Sequence, residues 1–377
     1  MALDAAGATE GLFAKRDPLM GIDFRMQCAD RSLNVLASRG HGIEDRVLQS
    51  RGWAFQERVL APRKLYFGST LHWECRSSSK SEWRQKASRN SHQHLRIHHL
   101  EPGLPNPQPD ERGYTKTPQF LNTWHDNLKS YTKRYLSIAS DRLPAILGVI
   151  ADFERKTGYK NVLGIWSQYF AIDLLWMTKT KQQDRPSIEG VPSWTWASIG
   201  VPVDYESMYD YKSIDGTNIA IHVTDTKVLD VQGYLLNIHQ ERYSDSIPEV
   251  NPQCMQSHTN SKWIIDDLPG YFVWKALLDD PKRCFEGPYY FLPLVMANLP
   301  VNTEFGTLCF GLGLVRCASD EPYYPKYRRF GWFGITVHNM DAKSDVSNSI
   351  VEYLRSIVSY DQEPDWPEGK LQRFRLC

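Results

Sequence analysis

The period of the apolar positions changes along this chain, and the change separates a helical middle from a strand-rich second half. Between residues 118 and 177 apolar residues recur every three or four positions. Trp124, Leu128, Tyr131 and Tyr135 line one helical face, and Leu143, Ile146, Leu147, Ile150 and Phe153 line a second. Ser140 or Asp141 suits the N-cap of that second helix, Pro144 falls in its first turn, and Gly158 stands where a helix ends. Leu163, Trp166, Phe170 and Leu174 predict a third helical stripe. From 218 to 338 the period drops to two, with Pro and Gly between the runs. Strands are expected over Ile219–Val223, Lys227–Ile238, Tyr271–Leu277, Tyr289–Val295, Thr307–Val315 and Phe330–Val337, as an antiparallel sheet, sandwich or barrel. Ser344–Val358 reads as a helix with Ile350, Leu354 and Ile357 on its face, followed after Asp361 by a polar tail.

The stretch Arg51–Cys75 packs a helix, a proline stop and a hairpin into 25 residues. Trp53, Gln56, Glu57 and Leu60 share a helical face, and Pro62 ends the helix. Lys64–Phe67 and Leu71–Cys75 alternate as two strands around Gly68-Ser69-Thr70, with Leu71, Trp73 and Cys75 on one face and His72 and Glu74 on the other. A carboxylate on the Trp53 face needs a partner. Arg51, Arg58 and Arg63 are the nearby guanidinium groups, so Glu57 is expected in a structural ion pair. On that reading Glu57→Ala destabilises the segment. The competing reading makes Glu57 a catalytic or ligand-binding acid.

Composition narrows the chemistry. The 377 residues are 41% hydrophobic and 23% charged, with 44 basic and 44 acidic side chains, so nothing at whole-chain level draws nucleic acid or an acidic membrane. Seven scattered cysteines, with no C-x-x-C pair, fit reduced thiols in the cytoplasm better than a disulfide or zinc framework. No apolar run reaches the length of a membrane span and no secretory signal stands at the start. Residues 77–116 read as a basic, His- and Pro-rich linker or insertion. His94 and His98 there have helical metal spacing, but no further ligand completes it, and no metal site is expected. Gly311 and Gly313 lack the third glycine and the helix of a nucleotide loop. Tyr323, Tyr324, Lys326, Tyr327, Arg328 and Arg329 form a turn into the next strand, or a phosphate- or partner-binding patch.

A family resemblance rests on particular residues. RGWAFQERVLAPRKLYFG, through Arg51, Gly52, Trp53, Gln56, Glu57, Arg58, Pro62 and Arg63, closely resembles the C-terminal signature of the fungal heterokaryon-incompatibility (HET) domain. Downstream, Ser140-Asp141-Arg142-Leu143 with Ala145–Gly148, Gly164-Ile165-Trp166, Leu174-Leu175-Trp176 and Pro192-Ser193-Trp194-Thr195-Trp196-Ala197-Ser198 resemble further HET segments in the same order. Asp141, Leu143, Trp166, Pro192, Ser193, Trp194 and Trp196 carry that second likeness. Trp194 and Trp196 are read as core residues on one side of a strand. The likeness covers about residues 10–205, and the earlier motifs of a full HET domain are not found in the chain.

The resemblance implies an α+β chain: a truncated, TIR-like α/β remnant over residues 1–76, the linker over 77–116, a helical region over 117–205, a β-rich region over 206–360 and a tail over 361–377. It implies a role in fungal nonself recognition and the associated cell death through protein partners, another incompatibility protein among them, without a cofactor. The alternatives are a TIR-like NAD-cleaving enzyme, complete only with additional N-terminal sequence, and a regulatory scaffold. No catalytic residue is assigned, because the glutamate that such cleavage needs belongs to a motif not found here.

Overall fold

Short polar-bounded runs and a few long apolar alternations produce an α+β architecture. The computed structural model describes residues 21–28, 31–38, 47–68, 70–75, 78–82, 115–178, 187–205, 210–213, 220–225, 227–242, 261–265, 272–273, 275–279, 288–298, 305–318, 324–338 and 371–377. The expected helix Ser344–Val358 and the pair His94 and His98 lie outside them. The chain divides into two units, Met1–Leu104 with Asp126–Gly158, and Pro105–His125 with Tyr159–Cys377.

In the first unit, β1 (Gly21–Cys28) and β2 (Arg31–Ser38) form an antiparallel pair that the sequence analysis does not predict. After α1 (Val47–Ser50) and α2 (Ala54–Leu60), the expected hairpin forms from β3 (Arg63–Tyr66) and β4 (His72–Cys75). Here Ala61 has extended geometry, as the residue before Pro62 should. A third strand, β5 (Ser79–Ser81), adds to β4 from within the stretch read as a linker. The helix α3 (Gln119–Thr132), whose residues up to His125 belong to the second unit, buries Trp124, Leu128 and Tyr131 as its spacing requires. Tyr135 lies beyond its end and is 71% exposed. The second predicted helix is shorter than its pattern. Ala139–Arg142 and Pro144–Ile146 are single 3-10 turns, and α4 (Leu147–Thr157) follows, ending at Gly158 with φ 74°. Ile146, Ile150 and Phe153 are buried, but Leu147 is half exposed.

The second unit is built on a twelve-stranded sheet. It contains β6 (Thr115–Lys116), the short pair β7 (Asn161–Val162) and β8 (Ile165–Trp166), and α5 (Phe170–Asp173). Its remaining strands are β9 (Asp210–Ser213), β10 (Ala220–Asp225), β11 (Val228–Tyr234), β12 (Leu236–Arg242), β13 (Ser261–Ile265), β14 (Phe272–Val273), β15 (Lys275–Leu278), β16 (Tyr289–Asn298), β17 (Phe305–Arg316), β18 (Lys326–His338) and β19 (Leu371–Leu376). The main order is β10-β11-β19-β18-β17-β16-β12-β13-β14. All pairs in the sheet are antiparallel except β18 with β19.

This sheet differs from the sequence reading in several places, and β13 forms where no strand is expected. The run Lys227–Ile238 is two strands, broken at Leu235. The polar tail ends in β19, whose Phe374 and Leu376 are buried. The pair Gly311 and Gly313 sits inside β17. A Cβ on Gly311 would lie 2.1 Å from the Leu292 carbonyl oxygen, beside Pro293, where β16 bulges. Those glycines therefore serve close strand packing and not a nucleotide loop.

The third predicted helix does not form. Leu163 (φ 49°) and Gly164 (φ 93°) are both left-handed, so Val162 and Ile165 face each other across a two-residue turn. The four-residue spacing that reads as helix is produced by a hairpin, a 3-10 turn over Ser167–Tyr169 and the single turn of α5. Trp166, Phe170 and Leu174 are core all the same, while Leu163 is only partly buried. Phe120 and Trp124 meet Trp166 edge-on at 5.7 and 5.5 Å. Six tryptophans (124, 166, 176, 194, 196 and 332) are completely buried. Each removes roughly 150–250 Å² from water, a gross gain on the order of 4–6 kcal/mol before entropy.

Candidate functional site

The segment Arg51–Arg63 folds as a structural joint in the first unit. Gly52 donates its amide to the Tyr135 carbonyl (2.8 Å) and lies against Leu136, while Arg51 bridges Tyr135 from an exposed position. The Trp53 indole donates to Asp141 Oδ2 at 3.1 Å, so the signature and the Ser140–Leu143 segment meet directly. Gln56 and Leu60 lie against Gly148. Leu143 is partly buried, and Pro62 and Arg63 are exposed.

The buried face of α2 is Ala54, Phe55, Arg58 and Val59, not the predicted face. Trp53 is 43% exposed, and Glu57 points to solvent with no ion pair among the described residues. The buried charge is Arg58, and its carboxylate is Glu74 in the hairpin, with Arg58 Nε at 3.6 Å and Lys64 Nζ at 3.5 Å. Tyr66 also donates to Glu74 at 2.9 Å. The hairpin therefore turns its Tyr66 and Glu74 side inward, while Leu65 is exposed. Gln49 Oε1 accepts from both Arg58 (3.1 Å) and Arg134 (3.3 Å), and Arg134 lies over the Phe55 ring. Burial lowers the Lys64 pKa against the opposing pull of Glu74, and burial brings Arg142 down to about 10. The expected Glu57 ion pair does not form; the buried pair is Arg58 with Glu74. Glu57→Ala should leave urea stability within about 0.5 kcal/mol, because a solvated side chain is lost. Glu74→Ala should cost about 3–5 kcal/mol in the same titration, because it strands a buried guanidinium.

In the second unit the segments Gly164–Trp166, Leu174–Trp176 and Pro192–Ser198 lock on one another. Trp194 and Trp196 are fully buried, as expected, but in a turn entering a 3-10 helix (Trp196–Ser198) and not in a strand. The Trp196 indole donates to the Gly164 carbonyl at 2.9 Å, and the Trp176 indole to the Trp194 carbonyl at 2.9 Å. Pro192 is buried; Ser193 Oγ accepts the Arg329 amide at 2.9 Å and donates to the Cys377 carbonyl.

Beside this core lies the constellation with the most chemistry, all of it within the second unit. Asp173 is completely buried and accepts three hydrogen bonds: from the Trp166 amide (2.7 Å), from Tyr205 OH (3.3 Å), and in contact with His125 Nε2 (2.9 Å). Tyr205 stacks on the His125 ring at 3.6 Å. Burial, with Asp173 adding to it, pushes the Tyr205 phenol well above its usual range, so it remains a donor. Arg329, also buried, pairs with Asp279 at 2.9 Å, donates to the carbonyls of Leu174 and Trp176, and lies 3.4 Å above the Trp176 ring. Burial lowers its pKa, and Asp279 opposes that.

This arrangement can orient an imidazole: Asp173 holds Nε2, and His125 keeps a partly exposed edge. No Ser, Cys or Thr hydrogen-bonds His125 among the described residues. Nor do the described residues contain a group of three or more His, Cys, Asp or Glu able to hold a metal ion. None of His125, Asp173, Tyr205 and Asp279 is picked out by the sequence analysis, and Arg329 is read there only as part of a turn or patch. The available signal is a lone carboxylate in an apolar run. Asp173 is the only charged residue between Trp166 and Met177, and such a group must find buried partners.

No protein-family model, no curated protein and no solved structure matches the chain. Among the described residues no helix is long and apolar enough to cross a membrane.

Proposed function

We propose that the chain is a heterokaryon-incompatibility-type protein of fungal nonself recognition that acts by associating with another protein. The observation that supports association is the exposed apolar surface of the first unit. Of the eight large apolar side chains that stand most exposed among the described residues, six belong to it: Val47, Trp53, Leu65, Tyr135, Ile138 and Leu147. Trp53, Tyr135 and Ile138 are linked through the Gly52–Tyr135, Trp53–Asp141 and Asp141–Ile138 hydrogen bonds, so part of this surface is held by the signature itself. Exposed apolar groups held on a rigid frame are a mark of association surfaces. The signature residues thus have a role without catalysis: they hold the frame.

The test is fusion of fungal strains of unlike incompatibility type, one of which carries the chain under an inducible promoter. Death of the fused cells is expected, with cellular NAD unchanged. Tyr135→Ser with Ile138→Ser, a pair chosen on the surface so that the fold survives, should abolish the death. Survival of every fused pairing would overturn the recognition role. NAD loss on adding the purified chain would replace association with the enzymatic alternative.

A further inference from the structure

The basic and aromatic run from Tyr324 to Arg329 leads into β18 and divides between its two faces. Tyr327 and Arg329 turn inward: Tyr327 meets Phe374 edge-on at 5.1 Å, and Arg329 pairs with Asp279. Lys326 and Arg328 alternate with them, take the other face and are partly exposed. The strand β19 sorts its residues in the same way. Phe374 and Leu376 are buried, Arg373 is exposed and Arg375 is partly exposed. Lys326 pairs in register with Arg375, so the two strands place their basic side chains on one face. Tyr324 is 43% exposed there, with the Arg375 guanidinium 5.2 Å from its ring centre.

The same face continues onto β11. Asp230 stands opposite Arg375 and pairs with it at 3.2 Å, and Gln232 accepts from Arg373 at 3.2 Å. Over β11, β19 and the start of β18, the cations Lys326, Arg328, Arg373 and Arg375 thus share the face with one carboxylate, Asp230. A solvent-facing pair such as Asp230 with Arg375 stabilises a fold little, and gathering further cations beside it does not add to that. Their placement is therefore not explained by stability. Arginine and tyrosine are the side chains enriched where proteins bind one another.

We propose that this face of β18 and β19 binds an acidic, extended segment of a partner protein. Residues two apart on a strand lie about 6.5–7 Å from each other, and neighbouring strands lie about 4.8 Å apart. Arg373 with Arg375, and Lys326 with Arg328, therefore repeat at the spacing of every second residue in an extended peptide. Carboxylates alternating along such a peptide meet the cations one for one. The guanidinium forks suit carboxylates, each nitrogen pair taking both oxygens, and Tyr324 offers an apolar contact beside them. A duplex or an acidic bilayer needs a wider basic field, and the whole chain, with 44 basic and 44 acidic side chains, supplies none. The surface belongs to the second unit, and it stands independently of the association role proposed above for the first.

The experiment titrates a fluorescein-labelled peptide of alternating Glu and Ser with the purified full chain and follows fluorescence anisotropy. Saturable binding is expected, weaker by about tenfold at physiological salt than at low salt, because the contacts face solvent. A peptide of alternating Gln and Ser should not bind. Lys326→Glu combined with Arg373→Glu should weaken binding of the acidic peptide at least about tenfold, since two attractions become repulsions. Lys326→Gln combined with Arg373→Gln, which only removes the charges, serves if the reversed variant fails to fold by circular dichroism. No binding of the acidic peptide, or equal binding by the wild type and the folded variant, would overturn the proposal. So would tighter binding of single-stranded oligothymidylate or of phosphatidylserine vesicles than of the acidic peptide.

Discussion

Replacing Arg329 with methionine is expected to cost the second unit about 3–5 kcal/mol, the usual result of removing one partner from a buried ion pair. The side chain is fully buried, and it satisfies three acceptors at once: the Asp279 carboxylate and the carbonyls of Leu174 and Trp176. Methionine fills much of the volume but donates nothing, so a buried carboxylate and two carbonyls lose their donor. Lysine should fail nearly as badly, because a single ammonium cannot reproduce the planar fork or the stacking on Trp176. Urea unfolding followed by tryptophan fluorescence is the measurement, since the Trp176 ring lies directly beneath the guanidinium. Combining Arg329→Met with Asp279→Asn should recover part of the loss, because the stranded charge is then gone. A fully additive double variant would show that the pair is not coupled.

Gly164→Ala is the second large effect, at about 2–6 kcal/mol. Two costs combine. Alanine at φ 93° carries backbone strain of roughly 1–3 kcal/mol. Its Cβ would also lie 2.4 Å from Trp196 Nε1, in a packed core where the ring has no room to yield, adding roughly 1–3 kcal/mol. The ring cannot retreat without breaking its own hydrogen bond to the Gly164 carbonyl. Gly158→Ala is the control. It has a similar φ of 74°, but nothing lies within 4 Å of the added methyl, so only the backbone cost applies. Denaturation midpoints that fell equally in the two variants would show that the Trp196 contact contributes nothing.

The motif segments singled out in the sequence are used differently in the two units. In the first, Trp53 with Asp141 and Gln56 with Gly148 join segments far apart in sequence. In the second, the glycine of Gly164-Ile165-Trp166 receives an indole from the Pro192–Ser198 segment. Residues that a motif search would single out as functional are, in this geometry, residues that hold other residues.

Much of this was legible in the chain. Period-two alternation located most of the strands between 218 and 338, though not β13 (Ser261–Ile265), because a half-buried strand imposes its pleat directly on side-chain polarity. The faces of α3 and α4 and the stop at Gly158 follow from local rules of the same kind. The burial of Trp194 and Trp196 follows from the size of their apolar surface. Other features depend on partners distant in sequence. Spacing at every fourth residue from Leu163 to Leu174 suits a helix equally well, until two left-handed residues close a hairpin beneath Trp196. Leu371–Leu376 has too little pattern to be read as a strand, and becomes one because β11 and β18 offer open edges on both sides. Which glutamate is buried was not readable either: Glu57 and Glu74 both have arginines nearby in sequence, and only the rotation of α2 and the pleat of β4 select Glu74. The sequence by itself determined where the apolar surface lies and which local conformations each segment allows, because those depend on near neighbours. The tertiary structure alone decided which charges and indoles meet, because those contacts join residues as far apart as Ser193 and Cys377, for which the chain carries no local signal.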